Sequence, residues 1–219
     1  GAELPWNRRV RRRLRKARQI VLHLFSGDTE KFWKSELEAP GREVLCVDVE
    51  IDRRQNLLKD DIYSFLLDLA DTGTLDAVIG GPPCRTVSRL RYVQPGPPPL
   101  RSRIGPERFG LKDLDEVLLQ RVRDDTVLWL RQYYIYHRAK DARAPLQKKT
   151  LYLKEQPEDP EKYLSPSAIA TQRYPSYWAF PEWHRIKELN GFIGVSFDQG
   201  PTGHIKRKPR TLGGNILEL

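Results

Sequence analysis

Three short apolar runs with helical patterns between them constrain this chain most. IVLHLF (20–25), EVLCVDVEID (43–52) and LDAVIGG (75–81) are rich in β-branched residues and end in turns or acids, which predicts strands. TEKFWKSELEAPG (29–41) and DIYSFLLDLADTG (61–73) lie between them, and each reads as a helix closed by Gly. A β-α-β-α-β order predicts an α/β fold with a doubly wound, mostly parallel sheet and helices on both faces. Such a sheet holds its ligand at the C-terminal ends of its strands.

The rest of the chain extends this pattern. Residues 92–113 are rich in Pro, Gly and Arg and predict a long loop, a feature that is usually functional inside a compact domain. A helical pattern returns over 114–142, TLYLKEQPEDP (150–160) predicts a fourth strand, and PSYWAFPEWHRIKEL (175–189) predicts a loop and a short helix. FIGVSFDQG (192–200) predicts a fifth strand, and the basic-then-apolar tail HIKRKPRTLGGNILEL predicts a last hairpin strand. Residues 20–219 therefore read as one domain that follows a basic segment, 1–19.

Charge is concentrated in that segment. Of the formal net charge of +9, residues 1–19 contribute eight cations against Glu3, or +7, and the remaining chain about +2. Such a segment suits a polyanion, and it equally suits a solvated helix or a linker. No apolar run reaches the length of a membrane span, so no membrane partner is expected. The two cysteines, Cys46 and Cys84, form neither a disulfide framework nor a metal-ligand pattern, which makes an intracellular, reducing setting the default and leaves no metal site to expect. The opening GAELPW reads as a domain edge, so a native targeting segment could precede it.

The strand ends carry the chemistry. Phe25, Ser26, Gly27 and Asp28 form the first turn, where Gly27 permits close approach of a ligand. The turn is neither G-x-G-x-x-G nor a P-loop, which argues against NAD and ATP. Asp48 ends the second strand, where an acid pairs with ribose hydroxyls, and Asp61 could accept from an adenine amine. A turn glycine, a ribose acid and an adenine acid in that order suit S-adenosylmethionine. Cys84 follows the third strand in a stiff Gly-Gly-Pro-Pro turn, where a thiolate beside a methyl donor fits covalent catalysis, with Arg85 and Arg89 expected to favour the thiolate. Glu155 ends the fourth strand as a carboxyl available to a base. Cys46, inside an apolar strand, reads as core.

LFSG, VDVEID, DDI, GGPPCRTVS and EQP stand in the order and at about the spacing of a cytosine-5 DNA methyltransferase. The wider context, including DDTVLWLR, EQPEDP, FDQGPTGH and KRKPRTL, resembles the methyltransferase modules embedded in retrotransposons of dinoflagellates and related protists. The resemblance covers roughly residues 19–215. It implies S-adenosylmethionine-dependent transfer of methyl to C5 of a cytosine flipped out of DNA, through a covalent adduct on Cys84 with Glu155 holding the base. It also implies a cofactor pocket of Phe25, Ser26, Gly27, Asp28, Asp48, Val49, Asp61 and Ile62, and a nucleophile turn shaped by Pro83. Ser88 would steady the loop that follows, and Arg85, Arg89, Arg91, Arg101 and Arg103 would face phosphates. A nuclear location would follow in a eukaryote.

The chain departs from that family in three respects. The family's Gln-x-Arg-x-Arg motif is replaced by HIKRKPR, so Lys206, Arg207 and Lys208 stand as candidates for the catalytic cations, with Arg210 beside them. Asp28 and Thr29 follow Gly27 where the family has a further glycine. Residues 160–219 leave no room for a large target-recognition domain, so selectivity falls to the loop, to PSYWAFPEWHR or to other domains or partners. The residues also fit an RNA (tRNA-type) cytosine-5 methyltransferase, and a catalytically silent nucleic-acid-binding module of the same fold.

Overall fold

The computed structural model describes residues 4–27, 35, 37–92, 95–162, 164–167, 174–199 and 208–216. The fold is α/β. Its six strands are β1 (Gln19–Leu24), β2 (Arg42–Val47), β3 (Leu75–Gly80), β4 (Leu151–Pro157), β5 (Ile193–Asp198) and β6 (Pro209–Gly214). They form one mixed sheet in the order β2-β1-β3-β4-β6-β5. β1 pairs in parallel with β2 and β3, while β5 and β6 pair antiparallel, the hairpin expected of the tail. Among the described residues the α-helices are α1 (Arg8–Lys16), α2 (Asp60–Asp71), α3 (Glu116–Arg143) and α4 (Pro181–Asn190). None is long and apolar enough to cross a membrane. Most of the helix expected over 29–41 (residues 29–34 and 36) lies outside the described residues.

The chain divides into two compact units, Gly1–Pro82 with Val127–Leu153, and Pro83–Thr126 with Lys154–Leu219. In the first unit β1 is central and its apolar residues Ile20, Val21, Leu22 and Leu24 are buried. Cys46 sits in the core with Val21, Val44 and Ala77, as its apolar strand predicts. Each fully buried aliphatic side chain here contributes roughly 1.5–3 kcal/mol. Gly80 lets β3 close on β1: a Cβ there would lie 2.3 Å from the carbonyl oxygen of Leu24. The register sets Leu24 opposite both Val47 and Gly80, so Phe25, Asp48 and Gly81 leave the sheet at one edge. α1 is capped by Asn7, whose side chain accepts from the Val10 amide at 3.0 Å. Leu14 and Trp6 are buried, and Trp6 stacks on Phe65 of α2 with centroids 4.8 Å apart.

The second unit is built on aromatic packing. Tyr177, Trp178, Phe180, Trp183 and Phe192 are buried, with Trp178 edge-on to Trp183 at 4.9 Å. Gly213 of β6 accommodates both indoles, since a Cβ there would meet them at 2.6 and 2.8 Å. Residues 92–113, expected as irregular, include a 3-10 turn at Pro106–Phe109 and follow another at Arg89–Tyr92.

Lys154 of β4 is fully buried. It donates to the Tyr177 hydroxyl at 2.9 Å, and its Nζ lies 4.3 Å from that ring's centroid. Burial holds its pKa well below the ordinary lysine value. The folded state therefore binds fewer protons than the unfolded state from that lowered value up to about 10.4, and stability rises with pH across that window. Urea unfolding at pH values approaching about 10 is expected to show this rise, by at most about 1.4 kcal/mol per pH unit, with the slope reduced in Lys154→Met. An equal slope in the variant would show that Lys154 does not titrate on unfolding.

Candidate functional site

In the first unit the expected ligand turn is a defined piece of backbone. Phe25 adopts φ 56° and Gly27 φ 63°, both in the left-handed region, where glycine is favoured and phenylalanine is rare. Asp48 is buried and organises this edge. Its Oδ2 accepts from the Gly27 amide at 2.8 Å and its Oδ1 from the Glu50 amide at 2.8 Å, while its own amide donates to Gln55 Oε1 at 3.0 Å. The carboxylate thus ties the turn after β1 to the turn after β2. Ser26 is buried, Val49 is exposed, and Ile62 belongs to the core. Asp61, exposed at the start of α2, accepts from the Ile62 amide at 2.9 Å. A Cβ on Gly27 would meet no atom of the described residues within 4 Å. Asp28 lies outside the described residues.

In the second unit three functional groups far apart in sequence come together. Nη1 of Arg210, on β6, donates to Cys84 Sγ at 3.7 Å, and its Nε lies 3.0 Å from Glu155 Oε1 on neighbouring β4. The second contact is an ion pair rather than an aligned hydrogen bond, and both atoms are buried without a hydrogen-bond partner among the described residues. A buried carboxylate oxygen held by an ion pair alone keeps hydrogen-bonding capacity to spare, which calls for an explanation. Burial pushes the pKa of Glu155 up, against the pull of Arg210 and then Lys208. The group is thereby biased toward carrying a proton.

The cysteine turn is fixed from behind. The Val87 amide donates to the Cys84 carbonyl at 3.0 Å, closing a turn that follows the half-buried Pro83. Thr86 Oγ1 donates to Asp125 Oδ2 at 2.9 Å, and Arg85 Nε reaches Asp125 Oδ1 at 3.2 Å. Burial raises the Asp125 pKa, opposed first by Arg85. Arg101 Nε donates to Thr86 Oγ1 at 3.1 Å, and its other nitrogens reach the carbonyls of Arg108 and Val122 and the Thr126 hydroxyl at 2.8–2.9 Å. Burial lowers the Arg101 pKa to about 10, with Asp125 opposing.

This network divides the arginines expected to face phosphates. Arg101 is fully buried, and Arg91, also buried, donates to the carbonyls of Arg85 and Pro98 at 2.6 and 2.9 Å. Arg103 is largely buried, pairing with Asp159 and Glu161 at 2.9 Å. These three are corrections to the expectation. Their donors are held within the unit because the loop has few apolar side chains and uses guanidinium bonds to order its backbone. Arg85 and Arg89 remain exposed, Arg85 with its charge opposed by Asp125. Ser88 accepts from the Leu90 amide at 3.3 Å, which steadies the turn after the cysteine.

Lys206 and Arg207 lie outside the described residues. Lys208 is half-buried, its amide donating to Asp198 Oδ1 at 2.9 Å. Among the described residues Arg210 is the cation brought against both Cys84 and Glu155, and a sequence of closely spaced cations carries no signal that singles it out. Asp125 gives no local signal either, whereas strand alternation does put Lys154 and Glu155 on opposite faces of β4. Among the described residues, no group of three His, Cys, Asp or Glu side chains could hold a metal. Compared with known proteins, the chain matches no family model and no curated protein sequence.

Proposed function

We propose that this chain is an S-adenosylmethionine-dependent cytosine-5 methyltransferase acting on DNA, with a doubly wound, Rossmann-like arrangement of its sheet. The observation that carries the reading is the convergence of Cys84, Glu155 and Arg210: a soft nucleophile, a carboxyl biased toward protonation, and a cation in contact with both. Attack on C6 of cytosine needs a thiolate, and it needs the ring made electron-poor by a proton at N3. The buried Oε1 of Glu155, ion-paired with Arg210 but without a hydrogen bond among the described residues, suits the exocyclic amine of such a base.

The residues of the first unit fit an adenosyl ligand. No atom of the described residues lies within 4 Å of a Cβ built on Gly27, and buried Asp48 holds the surrounding backbone with oxygen lone pairs to spare for ribose hydroxyls. When bound, S-adenosylmethionine would supply an electrophilic methyl group. The chain's own residues would do the rest. Cys84 forms the S–C6 bond as Glu155 gives its proton to N3, so that C5 becomes nucleophilic. After C5 has been methylated, a base takes its proton, the S–C6 bond breaks to restore the aromatic ring, and N3 returns its proton to Glu155. Arg210 donates to the sulfur and stays beside the carboxylate formed in the first step.

Incubation with labelled S-adenosylmethionine, duplex DNA and, in parallel, a tRNA tests the reading. Label at C5 of cytosine in DNA is expected. Label in RNA alone would replace the substrate, and no label despite cofactor binding would favour a silent module.

The pH profile gives a sharper check. If Glu155 acts protonated, activity falls as pH rises through its pKa. Arg210→Gln removes the stronger of the two charges holding that pKa down, so the alkaline limb should move to higher pH while the rate drops. Arg210→Lys should leave the limb near its original place. An unmoved limb in Arg210→Gln would exclude Glu155 as the proton donor.

A further inference from the structure

Helix α1 presents two faces with opposite electrostatic treatment. Arg13 lies with Glu43 and Glu38, its Nε donating to Glu43 Oε1 at 3.1 Å and its Nη2 forming ion pairs with both acids. Arg8, Arg11, Arg12 and Arg15, at i, i+3, i+4 and i+7, are the described residues that line a recess of about 380 Å³. Among the described residues none of these four makes an ion pair. Such spacing brings like charges together on one helix face, which opposes helix formation. The first turn contains no acid either, so Arg8 and Arg9 stand against the helix dipole. The helix is held nevertheless by Asn7, Leu14 and the Trp6–Phe65 stack. A bland solvated helix would intersperse acids with these cations, whereas here acids meet Arg13 and the Arg8–Arg11–Arg12–Arg15 face is left charged among the described residues.

We infer that the Arg8–Arg11–Arg12–Arg15 face of α1 is a binding surface for the phosphodiester backbone of duplex DNA. Arg8 to Arg15 spans about 10 Å of helix axis, and duplex DNA presents a charge about every 1.7 Å of its own axis, a density that a folded acidic protein surface does not sustain. Guanidinium groups also suit the task, since each can grip phosphate oxygens in a bidentate manner. The choice of duplex DNA rests on the proposed function and extends it from the reacting base to the polymer that carries it.

The test reads binding, in the Cys84→Ala background, so that it is independent of methyl transfer. Fluorescence anisotropy with a labelled duplex of random sequence is followed across a salt series. R8Q/R11Q/R12Q/R15Q is expected to reduce the slope of log K against log salt by about 3–4 and to weaken binding at low salt. Its melting temperature should be unchanged or raised, because like-charge repulsion is relieved. Arg13→Gln should leave the slope as it was. If the fourfold variant loses its fold, R8Q/R15Q is expected to lower the slope by about 2. An unchanged slope in a folded variant overturns the inference, as does an equal loss in Arg13→Gln. A loss confined to structured RNA of the same length overturns the duplex assignment. Failure here would leave methylation by the cysteine site untouched, and failure of methylation would leave this result standing.

Discussion

Cys84→Ala is expected to lower methyl transfer about ten-thousand-fold or more, the scale on which nucleophile removal acts in covalent catalysis. Without attack at C6, C5 of cytosine stays a poor nucleophile, and neither Glu155 nor Arg210 can compensate. The turn should survive the change, because it is closed by backbone, Val87 amide to Cys84 carbonyl, and held by Thr86, Asp125 and Arg101. Cofactor affinity should also persist, since Phe25, Ser26, Gly27 and Asp48 belong to the first unit. The measurement is initial rate with labelled donor on duplex DNA, beside a melting curve with and without cofactor. Retained activity would remove the cysteine from the mechanism. Lost activity together with a lowered melting temperature would instead indicate a structural role for the thiol.

Arg101→Leu is expected to destabilise the second unit by about 3–5 kcal/mol, the range for removing one partner from a buried charged network. Leucine fills much of the space but leaves Thr86, Thr126 and two carbonyls without the donors they have now. It also removes a cation near buried Asp125. For a chain of this size such a loss corresponds to about 10 °C in melting temperature. Denaturant titration of wild type and variant provides the value, and Arg185→Leu, an exposed position, serves as the comparison, with an expected change within about 0.5 kcal/mol. Equal behaviour of the two variants would show that the loop does not depend on its buried arginine. A stable Arg101→Leu protein with weakened DNA binding would restore that side chain to the phosphate-facing role expected of it.

These results divide along a physical line. The β1, β2 and β3 runs, the helix after Lys59, the burial of Cys46 and the final hairpin were all legible in the sequence. Each depends on periodicity, chain stiffness or turn chemistry within a dozen residues, and such local terms act before any distant contact exists. The position of Cys84 at the end of a strand and a stiff turn was legible for the same reason. Tertiary structure alone decided which cation meets it. Arg210 reaches Cys84 and Glu155 because β6 lies beside β4, and strand order depends on contacts among segments far apart in the chain. The loop arginines divide on the same principle. Composition makes Arg85, Arg89, Arg91, Arg101 and Arg103 equivalent cations, but a buried polar backbone must find donors, and three of the five turn inward to supply them. In α1 the sequence determined the charge but left a helix and a linker both open, whereas the packing of Trp6 and Leu14 decided for the helix.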